Sequence, residues 1–130
     1  VVEQDEREGG LRAILNYGHT IGHALEAVSS YGKYLHGEAI SIGQVAASRI
    51  SRDVLGLGQP EVDRIETLFE KVGLPTSVSL AKPHLARVFA AMKLDKKVSG
   101  GEVKFVLARK IGQVEFGIDV PKAIIKAALK

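Results

Sequence analysis

The sequence of 130 residues contains no cysteine, no tryptophan and a single methionine. Without cysteine, neither disulfide bonds nor thiolate metal sites can form. The apolar runs are far too short to span a bilayer, so no membrane partner is expected. Three tyrosines and four phenylalanines leave few rings to stack on bases, which argues against nucleic-acid binding. The lack of thiols is compatible with the reducing cytoplasm, where we expect the protein to act.

Apolar residues make up 45% of the chain and charged residues 25%, as in ordinary globular proteins. The length predicts one domain over residues 1–130. The net charge of +3 comes from cationic residues spread along the chain, which favours attraction of a small anionic substrate over a nucleic-acid patch. The acidic start VVEQDEREGG is unlike a signal or transit peptide, and the missing initial Met indicates a piece of a longer protein.

The hydrophobic pattern predicts a mainly α protein, a compact multihelical array with one small β-hairpin. Helical spacing and breaker residues predict helices over residues 10–29, 37–55, 60–72, 83–94 and 121–129. In the second of these helices the residues that recur at helical spacing are Ala39, Ile42, Val45, Ala46 and Ile50. Alternating apolar residues predict two short strands over 102–108 and 113–116, joined by a turn at 109–112.

The first predicted helix contains the segment NYGHTIGHALE, in which Gly18 and Gly22 each precede a histidine. At about 100° per residue, one narrow stripe of this helix holds Arg12, Asn16, His19, His23 and Glu26. A solvated stripe favours Lys and Glu, whereas asparagine and histidine are poor helix formers. Each interior glycine also costs about 1 kcal/mol relative to alanine, a cost expected where another backbone or a ligand approaches closely. The pattern therefore favours a functional site over a solvated face.

His19 and His23 are four residues apart, so both imidazoles could bind one metal ion. The glutamate that follows the first histidine in HExxH metalloproteases is absent. Two histidines alone make a weak zinc site, because a catalytic zinc takes three protein ligands. His36, at the start of the second predicted helix, is the candidate for the third ligand, because the short intervening loop can fold it back beside the first helix. The alternative is that His36 is only a polar helix-entry residue. His84 is interpreted as a surface residue.

Four blocks of the sequence, taken together, resemble the 3-dehydroquinate synthases. They occur in the family's order and with similar gaps: DEREGGLR at 5–12, LNYGHTIGHALE at 15–26, HGEAISIG at 36–43 and LDKKVSGGEVKFVLARKIG at 94–112. The resemblance covers almost the whole chain but only the C-terminal, helical part of that enzyme. It implies that residues 1–130 are the C-terminal half of a two-domain protein, whose N-terminal NAD-binding domain is absent from this sequence.

The resemblance implies a lyase that converts 3-deoxy-D-arabino-heptulosonate 7-phosphate to 3-dehydroquinate with loss of phosphate. This is a step of the shikimate pathway, which supplies chorismate and the aromatic amino acids. The implied cofactors are NAD+, reduced and re-oxidised within one turnover, and a divalent metal, either zinc or another such as cobalt. The implied partners are a sugar-phosphate substrate, the absent N-terminal domain and, at full length, a second subunit in a homodimer. The isolated chain is expected to be inactive.

By the same resemblance, His19 and His36 are metal ligands, and a glutamate of the absent domain is the third. His23 lies near the substrate phosphate and the proton transfers. Tyr17 occupies a position where the family often has phenylalanine, and its hydroxyl requires a partner.

The remaining implied site residues bind anionic groups of the substrate. Arg12 and Asn16 hold oxyanion groups. Lys96 or Lys97 binds the phosphonate end or the carboxylate, and which of the two lysines does so stays open. On the sequence pattern alone, both lysines are typical of a solvated turn before the hairpin.

Two other functions remain compatible with these residues. Sugar-phosphate cyclases that make deoxy-inosose or valiolone share the histidines and the fold. A non-catalytic helical module would use the polar stripe to dock a partner protein and would be indifferent to divalent metal.

Overall fold

The computed structural model describes residues 16–28, 35–78, 82–98 and 104–129, with the side chains of 82–83 and 93–98 left out. In chain order the elements are α1 (His19–Val28), α2 (His36–Leu55), α3 (Gln59–Lys71), α4 (Lys82–Val98), β1 (Lys104–Lys110), β2 (Gln113–Asp119) and α5 (Lys122–Ala128). β1 and β2 pair antiparallel as a hairpin. The mainly helical architecture with one hairpin that the sequence predicts is confirmed.

Helix α2 is central to the described fold, because α1, α3, α5 and β1 all pack against it. At its start, the Glu38 carboxylate accepts a hydrogen bond of 2.9 Å from the Leu35 amide, which caps the helix. It ends at Leu55, because the next residue, Gly56, has a left-handed φ of 80° that stops the helix. The predicted apolar face of α2 is buried throughout: Ala39, Ile42, Val45, Ala46 and Ile50.

The hydrophobic core lies between α1, α2, α4, α5 and β1. Its side chains include Ile21, Leu25, Ile50, Val88, Leu107 and Ile125. Across the described ranges, no helix has the length and apolar character that crossing a bilayer requires.

The first helix starts later than predicted. Gly18 has a φ of +82°, a left-handed conformation that cannot continue a right-handed helix. Its carbonyl accepts the first helical hydrogen bond, 3.0 Å from the Gly22 amide. Asn16 has 3₁₀-helical backbone and is separated from α1 by the turn at Tyr17 and Gly18. It is therefore not on one continuous helical stripe with His19, so that part of the prediction is wrong. Residues 10–15 lie outside the described residues.

Two other elements are longer than predicted. α4 continues to Val98 instead of ending near residue 94, because the segment after Leu94 contains neither glycine nor proline before residue 100. The backbone of Lys96 and Lys97 is thus helical, and their interpretation as a turn is wrong. β2 extends beyond residue 116 to Asp119, and Gly117 within it adopts a φ of 72°.

Candidate functional site

Helices α1 and α2 approach each other at three glycines. A Cβ atom on Gly43 would overlap the carbonyl oxygen of Gly18 and lie 2.9 Å from the Gly22 nitrogen. A Cβ atom on Gly22 would lie 2.6 Å from Ile40 Cδ1 and 3.3 Å from the Ala39 oxygen. The Gly43 neighbours are backbone atoms that cannot move aside, so the contact requires glycine at position 43; at Gly22 the shortest contact is with the end of a flexible side chain. A Cβ atom on Gly18 would lie 2.7 Å from the Gln44 nitrogen. The glycines of the histidine segment therefore permit the close approach of another backbone.

This crossing brings three imidazoles together. The ring centroids of His19 and His23, one turn apart on α1, are 5.0 Å apart. His36, the first residue of α2, lies 5.9 Å from His19 and 6.1 Å from His23, again between ring centroids. The predicted placement of His36 beside the first helix is confirmed. The histidines thus form one cluster that two helices build.

The two histidines expected to bind metal are both held through their Nδ1 atoms. His36 Nδ1 lies 2.8 Å from Glu26 Oε1, and His19 Nδ1 lies 3.3 Å from the backbone oxygen of Tyr17. Both partners are acceptors, so we assign the ring proton to Nδ1, which donates in each case. In both rings the lone pair of Nε2 is then available. Metal-binding histidines commonly have this arrangement, in which the second nitrogen donates to a carboxylate or a carbonyl.

The described residues do not supply a complete metal site. Among them, no three His, Asp or Glu side chains are placed to hold one ion. As placed in the structure, His19, His23 and His36 do not together form a three-ligand site. His19 and His36 fit the donor chemistry of zinc or a similar ion, since imidazole nitrogen suits such metals. A catalytic ion at this place would need a further ligand from outside the described residues.

The structure describes the other expected site residues to different extents. Arg12 lies outside the described residues, and for Lys96 and Lys97 only the backbone, near the end of α4, is described. Asn16 is half-buried and precedes the turn that leads into α1. His84 is exposed near the start of α4, which confirms its interpretation as a surface residue.

Tyr17 joins the start of α1 to a buried polar network that sequence reasoning missed. Its hydroxyl lies 2.8 Å from Ser48 Oγ, so the partner it requires is present. Burial raises the pKa of Tyr17 above its ordinary value of 10.0, and hydrogen bonds with Ser48 and Ser51 partly oppose this shift. Ser51 Oγ also accepts a hydrogen bond of 2.9 Å from the Ala108 amide of β1. The sequence signal for this network is the presence of Ser48 and Ser51 among the apolar residues of α2.

Glu26 is the other residue that the sequence did not single out with a role. It was placed on the polar stripe because it follows His23 by three residues, the spacing of side chains on one helix face. Its contact with His36 depends on the crossing of α1 and α2, which no local pattern reports.

A surface pocket of about 430 Å³ lies away from the histidine cluster. It is lined by residues of α3 and by none of the three histidines.

Solved structures of two cyclases resemble this chain. A 2-epi-5-epi-valiolone synthase from Streptomyces hygroscopicus, with NAD+ and Zn2+ bound, gives a TM-score of 0.84 at 26% identity, over 98% of this chain and 35% of that one. A 2-deoxy-scyllo-inosose synthase in complex with carbaglucose-6-phosphate, NAD+ and Co2+ gives 0.78 at 26% identity, over 94% of this chain and 35% of that one. The fold is thus one that sugar-phosphate cyclases contain.

Comparison with known sequences identifies one family among these cyclases. The family model described as 3-dehydroquinate synthase C-terminal matches residues 1–98. A 3-dehydroquinate synthase from Acidithiobacillus ferrooxidans is 49% identical over 100% of this chain, and one from Nitrosospira multiformis is 45% identical over 99%. The chain belongs to the 3-dehydroquinate synthase C-terminal family. It spans 35% of the length of these two relatives.

Proposed function

We propose that this chain is the metal- and substrate-binding part of a 3-dehydroquinate synthase. The proposed reaction is the cyclisation of 3-deoxy-D-arabino-heptulosonate 7-phosphate to 3-dehydroquinate with loss of phosphate. The observation that carries the proposal is the pair of imidazoles of His19 and His36, which share one cluster with both Nδ1 atoms engaged. Identity of 45–49% to 3-dehydroquinate synthases, against 26% to the two cyclases, favours this activity over the valiolone and deoxy-inosose reactions.

The proposed cofactors are a divalent ion, zinc or cobalt, and NAD+. Support comes from the two related cyclases, one with NAD+ and Zn2+ and the other with NAD+ and Co2+. His19 and His36 would hold the ion through Nε2, with a glutamate of an N-terminal domain as the third ligand. When bound, such an ion supplies Lewis acidity, which polarises a substrate hydroxyl and favours its oxidation.

The remaining residues of the proposed site handle protons and anionic groups. His23 is exposed, and its ring centroid lies 5.0 Å from that of His19. A neutral imidazole exchanges protons near pH 7, so we assign His23 to proton transfer beside the departing phosphate. The fork of Arg12 suits a substrate carboxylate or phosphate.

Asn16 and the lysines complete the proposed contacts with substrate. Asn16 lies three residues before His19, the first residue of α1, and its side-chain amide is assigned to donate to a substrate oxygen. Lys96 or Lys97 supplies a point charge for an anionic end of the substrate.

The chain's share of its relatives' length supports a two-domain enzyme, in which an N-terminal NAD-binding domain faces the histidine cluster. We propose that the full-length enzyme, meaning this chain together with that domain, is a cytoplasmic homodimer. The isolated chain is then inactive and binds zinc weakly, because two imidazoles are too few ligands.

The experiment compares His19→Ala and His36→Ala with the unchanged full-length enzyme. Zinc per subunit after dialysis and turnover of the heptulosonate phosphate are measured, and both should be lost in each variant. His84→Ala is the matched control, because it removes an exposed imidazole outside the cluster. Stoichiometric zinc in the His19→Ala enzyme would contradict the ligand assignment.

Two further outcomes separate the other candidate functions. A cyclase of the deoxy-inosose type should bind carbaglucose-6-phosphate, measured by calorimetry, and should not turn over the heptulosonate phosphate. A helical docking module should bind no zinc, with or without the N-terminal domain added in trans, and should keep its affinity for a protein partner in chelator.

A further inference from the structure

The carboxylate of Glu26 bridges the two helices of the histidine cluster. Glu26 is near the end of α1, His36 begins α2, and Oε1 of the first lies 2.8 Å from Nδ1 of the second. We propose that Glu26 is a positioning residue, which accepts the Nδ1 proton of His36 and so directs the Nε2 lone pair of His36 toward the site it shares with His19. This inference rests on the proposed function, in which His36 binds the metal.

The contact is poorly explained as a stabilising ion pair. The side chain of His36 is 60% exposed and that of Glu26 33% exposed, and pairs in such positions contribute little to stability. The contact can, however, fix the orientation of the His36 ring. An exposed imidazole at the first residue of a helix has few neighbours to fix its ring, so the carboxylate selects both the rotamer and the tautomer.

The neighbouring acidic side chain does not compete for this role. Glu38 is in the first turn of α2, but its carboxylate accepts from the Leu35 amide at 2.9 Å and is occupied with capping the helix. Among the described residues, the carboxylate that contacts His36 is that of Glu26.

The two expected metal ligands are held in chemically different ways. The Nδ1 atom of His19 contacts a backbone oxygen, that of Tyr17, which no side-chain substitution removes. The Nδ1 atom of His36 contacts a side chain, which a single substitution removes. Glu26 is therefore the place where support of the metal ligands can be tested without altering a ligand.

The test measures the dissociation constant of zinc from the full-length enzyme by competition with a chelator. Glu26→Ala should weaken zinc binding about 10- to 100-fold, as loss of such outer contacts commonly does. Glu26→Gln should retain most of the affinity, because its amide oxygen still accepts the Nδ1 proton. The absorption spectrum of the cobalt-substituted enzyme should change in Glu26→Ala and remain close to normal in Glu26→Gln. Asp53→Ala is the control, since it removes an exposed carboxylate paired with Arg52.

Each outcome decides the inference separately from the proposed function. Unchanged zinc affinity in Glu26→Ala, together with loss of zinc in His36→Ala, overturns the role of Glu26 and leaves the metal site intact. Stoichiometric zinc in His36→Ala overturns the metal site itself. If Glu26→Ala does not fold, Glu26→Asp replaces it, because its carboxylate keeps the charge but is too short to reach His36. Equal zinc affinity in Glu26→Asp and Glu26→Gln then contradicts the proposal.

Discussion

Gly43 of α2 lies so close to Gly22 of α1 that a Cβ atom on Gly43 would stand 2.9 Å from the Gly22 nitrogen. This contact sets the separation of the two helices at the point where they cross. Because His19 and His23 are on α1 and His36 begins α2, the same contact helps to set the distances from His36 to the other two imidazoles.

Gly43→Ala should destabilise the protein by about 1–3 kcal/mol, because the new methyl group meets backbone atoms of α1 that cannot move independently. The better helix propensity of alanine, about 1 kcal/mol, offsets only part of this loss. The measurement is the free energy of unfolding in urea. Gly37→Ala is the matched control, since nothing lies within 4 Å of its Cβ position and its stability should stay equal or rise. Equal stability of the two variants would show that α1 and α2 separate without cost.

The elements of this fold could be predicted where the sequence pattern is local. The α2 positions Ile42, Ala46 and Ile50 recur at helical spacing and are all buried, as expected. The start of α1 could not be predicted, because Gly18 adopts its left-handed conformation where Gln44 approaches: a Cβ on Gly18 would lie 2.7 Å from the Gln44 nitrogen. That approach is tertiary and leaves no mark on the spacing of apolar residues.

The candidate site likewise combines features that a local sequence pattern predicts with contacts that only the tertiary structure shows. Two histidines on one face of α1 are a local pattern, and the position of His36 followed from a short connection between helices. The oxygen atoms that hold the Nδ1 atoms of His19 and His36 come from Tyr17 and Glu26. Those contacts depend on the turn at Gly18 and on the crossing angle of the helices, which become known only with the three-dimensional structure.

Tyr17→Phe should change zinc content and turnover little, and should lower stability by about 0.5–1.5 kcal/mol through loss of one hydrogen bond. The Ser48 hydroxyl stays satisfied in this variant, because it donates to the Gln44 oxygen at 2.8 Å. Urea unfolding at neutral pH measures the effect. Turnover that falls together with zinc content would instead mean that the hydroxyl supports the site.

The raised pKa of Tyr17 also predicts a dependence of stability on pH. Burial favours the neutral phenol, so the native protein keeps this proton above pH 10.0, where the unfolded chain loses it. The contribution is complete below pH 10.0 and declines as the pH rises toward the native pKa. The free energy of unfolding, compared between roughly pH 8 and pH 11, should therefore fall more steeply in the unchanged protein than in Tyr17→Phe. Parallel curves would contradict the assignment.

Ser51→Ala should destabilise the protein by about 1–3 kcal/mol, because it removes the acceptor of a buried amide. Ser51 is fully buried, and its Oγ accepts from the Ala108 nitrogen at 2.9 Å while donating to the Ala47 oxygen at 2.7 Å. Urea unfolding measures the loss in the free energy of unfolding. Faster hydrogen exchange of the Ala108 amide shows that the loss arises at this hydrogen bond. Ser77→Ala, at an exposed position, should stay within about 0.5 kcal/mol of the unchanged protein. Unaltered exchange at Ala108 would mean that another acceptor takes over.

Arg49→Met should destabilise the protein by about 1.5–3 kcal/mol, because one guanidinium joins three helices. Its Nη2 donates to Glu66 of α3 at 2.9 Å, and its Nη1 donates at 3.1 Å to the carbonyl of Ala128, the last residue of α5. The side chain is only 17% exposed, so added salt should reduce the effect little. Urea unfolding at low and high salt measures both points. Arg52→Met is the control. Both side chains of the Arg52–Asp53 ion pair are more than a third exposed, and loss of the pair should cost less than about 1 kcal/mol. Equal losses in the two variants would mean that Arg49 acts as an ordinary surface charge and that α5 is held by its apolar face alone.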